Sequence, residues 1–162
     1  LNMVENLLSV TRIRVGDTHV STSPEPLEEV VAEAVQRFRK RLPDSKVDVK
    51  VPDEFLMVPM DATLIEQVII NLLANAVYHS GTDEPIEFYV EKRDGYVAFH
   101  IRDYGKGIDP ERLKTIFDGA GIEPNARGDS HKGMGIGLTI STNIINAHNG
   151  TIEAGNRLKG SE

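Results

Sequence analysis

The stretch PIEFYVEKRDGYVAFHIRDYGKGI, Pro85 to Ile108, decides how this chain folds. Its two halves each alternate apolar and polar residues with period two, the signature of half-buried strands. Between them Asp94-Gly95 is a dipeptide suited to a tight hairpin turn. The alternation assigns Ile86, Phe88 and Val90, then Val97, Phe99 and Ile101, to one core-facing side. A hairpin in mid-chain, among irregularly mixed helices and strands, favours a mixed sheet with helices on one face over a doubly wound parallel sheet. The second strand runs directly into DYGKGI, an acid and two glycines within six positions. Alone, that string reads equally as a strand-exit turn or as the floor of a ligand pocket.

Working outward, ATLIEQVIINLLANAVYH (62–79) is the longest periodic segment, a helix capped by Asp61. Residues 26–42 carry Leu27, Val30, Val31, Ala34, Val35 and Phe38 at helical steps, and Pro43 closes that helix. Short strands are expected in THVSTSP (18–24), KVDVKV (46–51) and FLMVPM (55–60). Pro110 is expected to start a short helix to Phe117. Residues 118–132 lack periodicity and predict a mobile loop. A last helix is predicted over about 137–148 with Gly150 as its C′ residue, and GTIEAGN opens a further strand. LNMVENLLSVTRIR (1–14) has one apolar helical face and no start signal, as the tail of a longer helix would. Leu1 in place of Met and the final KGSE suggest a piece of something longer.

A chain of 162 residues can bury a core unaided. It contains no cysteine, so disulfides, thiolate catalysis and cysteine-held zinc are excluded. No apolar run reaches the roughly 20 residues of a membrane span, and no secretory signal opens the sequence. A formal charge of −7 argues against a nucleic-acid surface. The basic run Arg37 to Arg41 is explained by the dipole at a helix C-terminus.

Three elements carry chemistry. On the 62–79 helix Asn71 and Asn75, one turn apart, border the stripe of Ile65, Val68, Ile69, Leu72, Leu73 and Ala76. Two carboxamides there either bond a neighbouring loop or supply neutral oxygens to a Mg²⁺ that keeps most of its water and bridges to phosphates. Asp103 at a strand end, next to Gly105 and Gly107, offers an acceptor beside backbone that a flat ligand can approach, as an adenine amine requires. Finally KGMGIGL (132–138) alternates Gly133, Gly135 and Gly137 into a helix, where backbone N–H groups and the helix dipole suit phosphate. That spacing is neither a P-loop nor a dinucleotide fingerprint. The order of the three discriminates more than any one of them.

In that order the residues resemble the catalytic ATP-binding domain of two-component sensor histidine kinases. That domain belongs to a superfamily shared with type II topoisomerases, 90 kDa heat-shock chaperones and mismatch-repair ATPases. The resemblance spans about residues 24–158. EQVIINLLANAVYHS resembles the family's asparagine box, DYGKGI its first glycine box, IFDG a shortened phenylalanine box and GMGIGL its second glycine box, while NAHNGTIEAGN is similar to the stretch that commonly follows. Within the family, DEFLMVPMDATLIEQVIINLL and the FDG…KGMGIGL region resemble sensor kinases of the potassium-uptake (Kdp, osmosensing) type.

The resemblance implies an α/β sandwich, the Bergerat fold, with a mixed sheet of about five strands on three helices. It implies ATP and Mg²⁺ as ligands. Asp103 would accept the adenine amine over a floor shaped by Gly105, Gly107 and Ile108. Asn75 with Asn71 would hold Mg²⁺, and Lys132, Gly133, Gly135, Ile136, Gly137 and Leu138 would form the phosphate cradle. Residues 118–132 would be the lid. His79 matches a position that lies against the nucleotide, and equally suits a partly buried structural role. Residues 1–16 would end the dimerisation and phosphoacceptor hairpin, 17–162 would be the catalytic domain, and the sequence would stop before the family's final strand. Implied partners are that hairpin and a response regulator, in the cytoplasmic part of a membrane-anchored bacterial sensor.

The hydrolytic cousins have a glutamate where Asn71 stands, and an amide is no general base. Glu66, nine residues before Asn75, is turned to the far side of the helix. The implied chemistry is therefore γ-phosphoryl transfer to a protein histidine with little hydrolysis. Two departures from the family pattern stand out: Tyr78 replaces a usual basic residue, and Gly119-Ala120-Gly121 follow Asp118 where a second Phe is usual. None of His19, His79, His100, His131 or His148 lies in an acceptor motif. The alternatives are a hydrolytic ATPase module of the same superfamily and a nucleotide-binding or interaction module of reduced activity.

Overall fold

The mid-chain hairpin forms as its alternation predicts. The computed structural model describes residues 20–81, 83–105, 107, 111 and 132–155. In it β4 (Ile86–Arg93) and β5 (Tyr96–Arg102) pair antiparallel with Phe88 opposite Ile101 and Val90 opposite Phe99. Of the two turn residues only Gly95 takes a left-handed conformation, at φ 81°. Ile86, Phe88 and Val90 are buried, and Val97, Phe99 and Ile101 pack against that core. On the opposite face Tyr89 stacks on His100 at 4.5 Å between ring centres, and the Arg102 guanidinium lies 4.8 Å over Tyr89. These outward pairs fix the same register as the inward ones.

Around the hairpin the described chain runs β1 (Ser23–Pro26), α1 (Leu27–Arg41), β2 (Val47–Lys50), β3 (Met57–Met60), α2 (Ala62–Ser80), β4, β5 and α3 (Lys132–Ala147). β2 joins β4 in parallel, which makes a mixed three-stranded sheet, and β1 and β3 form a separate antiparallel pair. The α/β sandwich expected from the sequence is thus present, its five described strands divided between two ladders. α2 is the central helix: it packs on α1, on α3 and over β4 and β5. Its buried stripe of Ile65, Val68, Ile69, Leu73 and Ala76 meets Val30, Val31, Ala34 and Phe38 of α1, Ile140 and Ile144 of α3 and Phe88 of the sheet in one core cluster.

Four local expectations are corrected. The first strand lies at Ser23–Pro26, because its ladder is defined by β3, where Pro24 sits opposite Pro59 and neither has an N–H to donate. α3 begins at Lys132, not near 137, since glycines carry no side chain that could register in an apolar period. Its end is a Schellman motif in which Asn149, at φ 60°, takes the C′ place given to Gly150. There the Gly150 N–H donates to Ile145 O at 2.9 Å and the Asn149 N–H to Asn146 O at 3.0 Å. Thr151–Gly155 alternates exposed and half-buried residues as a strand would, yet joins no ladder among the described residues. The helical tail at 1–16, the lid at 118–131, Ile108 and the short helix after Pro110, apart from helical Glu111, lie outside the described residues.

Candidate functional site

Asp61 starts α2: its Oδ1 accepts the Leu64 N–H at 3.3 Å, the N-cap bond that the sequence predicts. From that cap the helix turns Asn71, Asn75 and His79 onto one line, four residues apart, and all three are half-buried. The Asn71 carboxamide nitrogen is buried without a hydrogen-bond partner among the described residues. An unpaired buried donor is costly, and a ligand oxygen would relieve it. Tyr78, 59 % exposed, stands beside this line as one of the exposed large side chains.

At the C-terminal end of α2 the strand-exit turn comes into contact. Asp103 is 5 % exposed, and its Oδ1 accepts the Gly105 N–H at 2.8 Å, so the carboxylate is held by its own turn. Gly105 is buried against the last turn of α2: a methyl group there would lie 2.2 Å from the Ser80 carbonyl oxygen and 2.5 Å from its Cα. Gly107 sits at φ 80°, a conformation that favours glycine. Here the two glycines have distinct reasons, close approach and backbone conformation. The Tyr104 hydroxyl donates to the Glu87 carboxylate across the hairpin and braces the turn.

The third element is located by helix geometry. His148, just past α3, accepts a hydrogen bond from the Asp61 N–H at 3.0 Å. The end of α3 thus meets the start of α2, and the two helices pack along their length, so they are antiparallel. Both rise about 1.5 Å per residue. Counting inward from the Asp61–His148 contact, Asn71 and Asn75 fall level with residues 138 and 134. The glycine-rich first turns of α3, Gly133 to Leu138, therefore lie level with the asparagine pair along α2, with Leu138 itself buried. All three elements gather on the C-terminal half of α2.

Glu66 has a different setting. It is buried on the α1 side of α2, 3.3 Å from Arg37, which also pairs with Glu33 at 2.9 Å. Burial pushes the Glu66 carboxyl above its ordinary value, Arg37 opposes that, and Glu33 and Glu25 add to it. It ties α1 to α2 and faces away from the asparagines. Among the described residues no group of three or more His, Cys, Asp or Glu could hold a metal ion. A cation beside Asn71 and Asn75 would depend on water and phosphate oxygens for its remaining ligands, which is how Mg²⁺ is commonly held. An open groove of about 480 Å³ lined by Ala32, Val35, Arg39 and Val49 lies on the far side of α1 and contains none of these groups. Two contributors have no local sequence signal: Ser80, whose backbone receives Gly105, and His148, which is 87 positions from its partner.

Fold and site together define an α/β sandwich built around one asparagine-bearing helix. Residues 60–162 match the family described as histidine kinase-, DNA gyrase B- and HSP90-like ATPases, and the chain belongs to that family. It is 44 % identical over 160 residues, 99 % of its length, to the sensor protein KdpD of Clostridium acetobutylicum. To KdpD of Escherichia coli it is 34 % identical over 98 % of its length. It spans 18 % and 17 % of those two proteins. Among solved structures it resembles the catalytic domain of the histidine kinase ThkA, with TM-score 0.72 and 28 % identity, covering 87 % of this chain and 91 % of that one. The similarity to Kdp-type sensors expected from the sequence agrees with these relatives.

Proposed function

We propose that this chain binds Mg-ATP and positions the γ-phosphoryl group for transfer to a histidine in a separate dimerisation and phosphoacceptor segment, from which a response regulator would take it. The gathering of the asparagine line, the buried Asp103 turn and the glycine-rich start of α3 on one half of α2 carries this reading. Asp103 accepts the adenine amine above Gly105 and Gly107, with Ile108 next in line. Asn75 and Asn71 lend oxygens to Mg²⁺, and the buried Asn71 nitrogen suits a phosphate oxygen. Lys132 and the backbone of Gly133, Gly135, Ile136, Gly137 and Leu138 surround the phosphates, and His79 lies against the nucleotide. Mg²⁺ held there by Asn75 and Asn71 would supply charge neutralisation for the phosphates.

Positioning is the contribution of these residues, because a base for water is missing from the place on α2 where the hydrolytic cousins carry a glutamate. Asn71 cannot take a proton, and Glu66 is committed to Arg37 on the opposite side of α2. Hydrolysis is accordingly slow, and a fast steady-state ATPase rate would argue for the hydrolytic branch of the family. A second reading, nucleotide binding with reduced transfer, draws on Tyr78, which brings a neutral hydroxyl where a cation would aid the triphosphate. Among the described residues no helix is long and apolar enough to cross a membrane. The site belongs on the cytoplasmic side of a membrane-anchored bacterial sensor.

Calorimetric titration with Mg-ADP tests the reading. Saturable binding is expected, lost in Asp103→Ala and stripped of its magnesium dependence in Asn75→Ala. Normal binding by both variants would refute the assignment. The chain alone should not become phosphorylated on histidine, and a stable phosphohistidine on it would overturn that part.

A further inference from the structure

The far end of α2 carries a contact that the nucleotide chemistry leaves unexplained. A backbone N–H only donates, so the Asp61 N–H, 3.0 Å from His148 Nε2, requires a lone pair on that nitrogen. The ring proton is then on Nδ1, which lies 2.7 Å from the Ile144 carbonyl oxygen and donates to it. Both ring nitrogens are used, and a second proton would set Nε2–H against N–H. At a helix start the N-cap N–H is often satisfied by a Glu or Gln three residues on. That position is Leu64, which has no acceptor, and a histidine from another helix fills the role instead. Asp61 meanwhile receives the Leu64 N–H on Oδ1 and the Ser21 N–H on Oδ2 at 3.3 Å, and its carbonyl accepts from Ile65 at 2.9 Å. One corner thus holds the start of α2, the end of α3 and the segment that enters the domain ahead of β1.

We propose that His148 is a positioning residue, the pin that sets the register of α3 against α2 and so keeps Gly133–Leu138 level with Asn71 and Asn75. It acts only as the neutral ring protonated at Nδ1. The proposal rests on the nucleotide reading above and deepens it, since it separates the two ends of the ligand. The phosphate side depends on the α2–α3 register. The adenine side, held by Asp103 and Gly105 against Ser80, does not. The buried acid of α2, Glu66, faces Arg37 of α1 and plays no part at this corner.

Long-range ¹H–¹⁵N spectra of the unmodified chain should report His148 protonated at Nδ1 and bare at Nε2 at neutral pH. A doubly protonated ring or the opposite tautomer would overturn the proposal. His148→Ala, checked as folded by circular dichroism, should weaken Mg-ADP about tenfold, as expected for loss of one coupling contact, and leave adenosine binding unchanged. His148→Gln, whose carboxamide oxygen can accept the Asp61 N–H, should recover most of the loss. Equal weakening of ADP and adenosine, or no weakening of either, would refute the pin. If the unmodified chain binds neither ligand, the nucleotide reading fails. The pin is then decided by the tautomer and by the amide shifts of residues 132–147, which the alanine variant must move.

Discussion

Replacing Gly105 by alanine forces a methyl group against the last turn of α2. Its nearest neighbours would be Ser80 O at 2.2 Å, Ser80 Cα at 2.5 Å and Ser80 C at 2.7 Å, all backbone atoms that cannot rotate aside. Ordinary carbon contacts begin near 3.5 Å, so the turn and the helix end must part by about 1 Å. Overpacking of this kind costs roughly 1–3 kcal/mol. For a chain of this size each kcal/mol lowers Tm by roughly 2–4 °C, so a loss of about 2–12 °C is expected. The displacement falls on the turn that holds Asp103, and Mg-ADP affinity should drop with stability. Differential scanning calorimetry and nucleotide titration on one preparation read both effects. A variant that melts within about 1 °C of the parent and binds ADP equally well would refute the close contact and the adenine floor built on it.

Three further outcomes follow from the same structure. Phe88→Ala empties a fully buried site at the centre of the core and should cost roughly 3–5 kcal/mol in urea unfolding. Gly107→Ala places a side chain at φ 80° and should cost about 1–2 kcal/mol, with no loss if the turn is free to relax. Glu66 has its folded-state pKa raised from 4.5 chiefly by burial. Its stabilising share is complete below that value and is lost as pH rises through the raised one. Glu66→Gln should therefore flatten the decline of stability with rising pH just above 4.5, and an unchanged slope in pH-dependent denaturation would contradict the burial of the carboxylate.

The fold was legible where side chains report their own surroundings. The hairpin announced itself because Ile86, Phe88 and Val90 alternate with Glu87, Tyr89 and Glu91 and because Asp94-Gly95 can turn, while α2 followed from its apolar stripe and the Asp61 cap. What the sequence withheld depends on partners distant along the chain. β1 moved to Ser23–Pro26 because β3 defines it, and α3 reached back to Lys132 through glycines that leave no apolar period. The candidate site divides in the same way. Asn71, Asn75, Asp103 and the alternating glycines could be named from spacing and residue type. The fit of Gly105 on Ser80, and the His148 contact that aligns α3 with α2, arise only when segments far apart in sequence meet.

The convergence of three elements on the C-terminal half of α2 is tested most directly by amide chemical-shift mapping during titration with Mg-ADP. The largest changes are expected in residues 71–80, 103–107 and 133–138, saturating with one affinity. Changes confined to the groove between α1 and β2 around Val35, Arg39 and Val49, or no saturable change anywhere, would contradict the site.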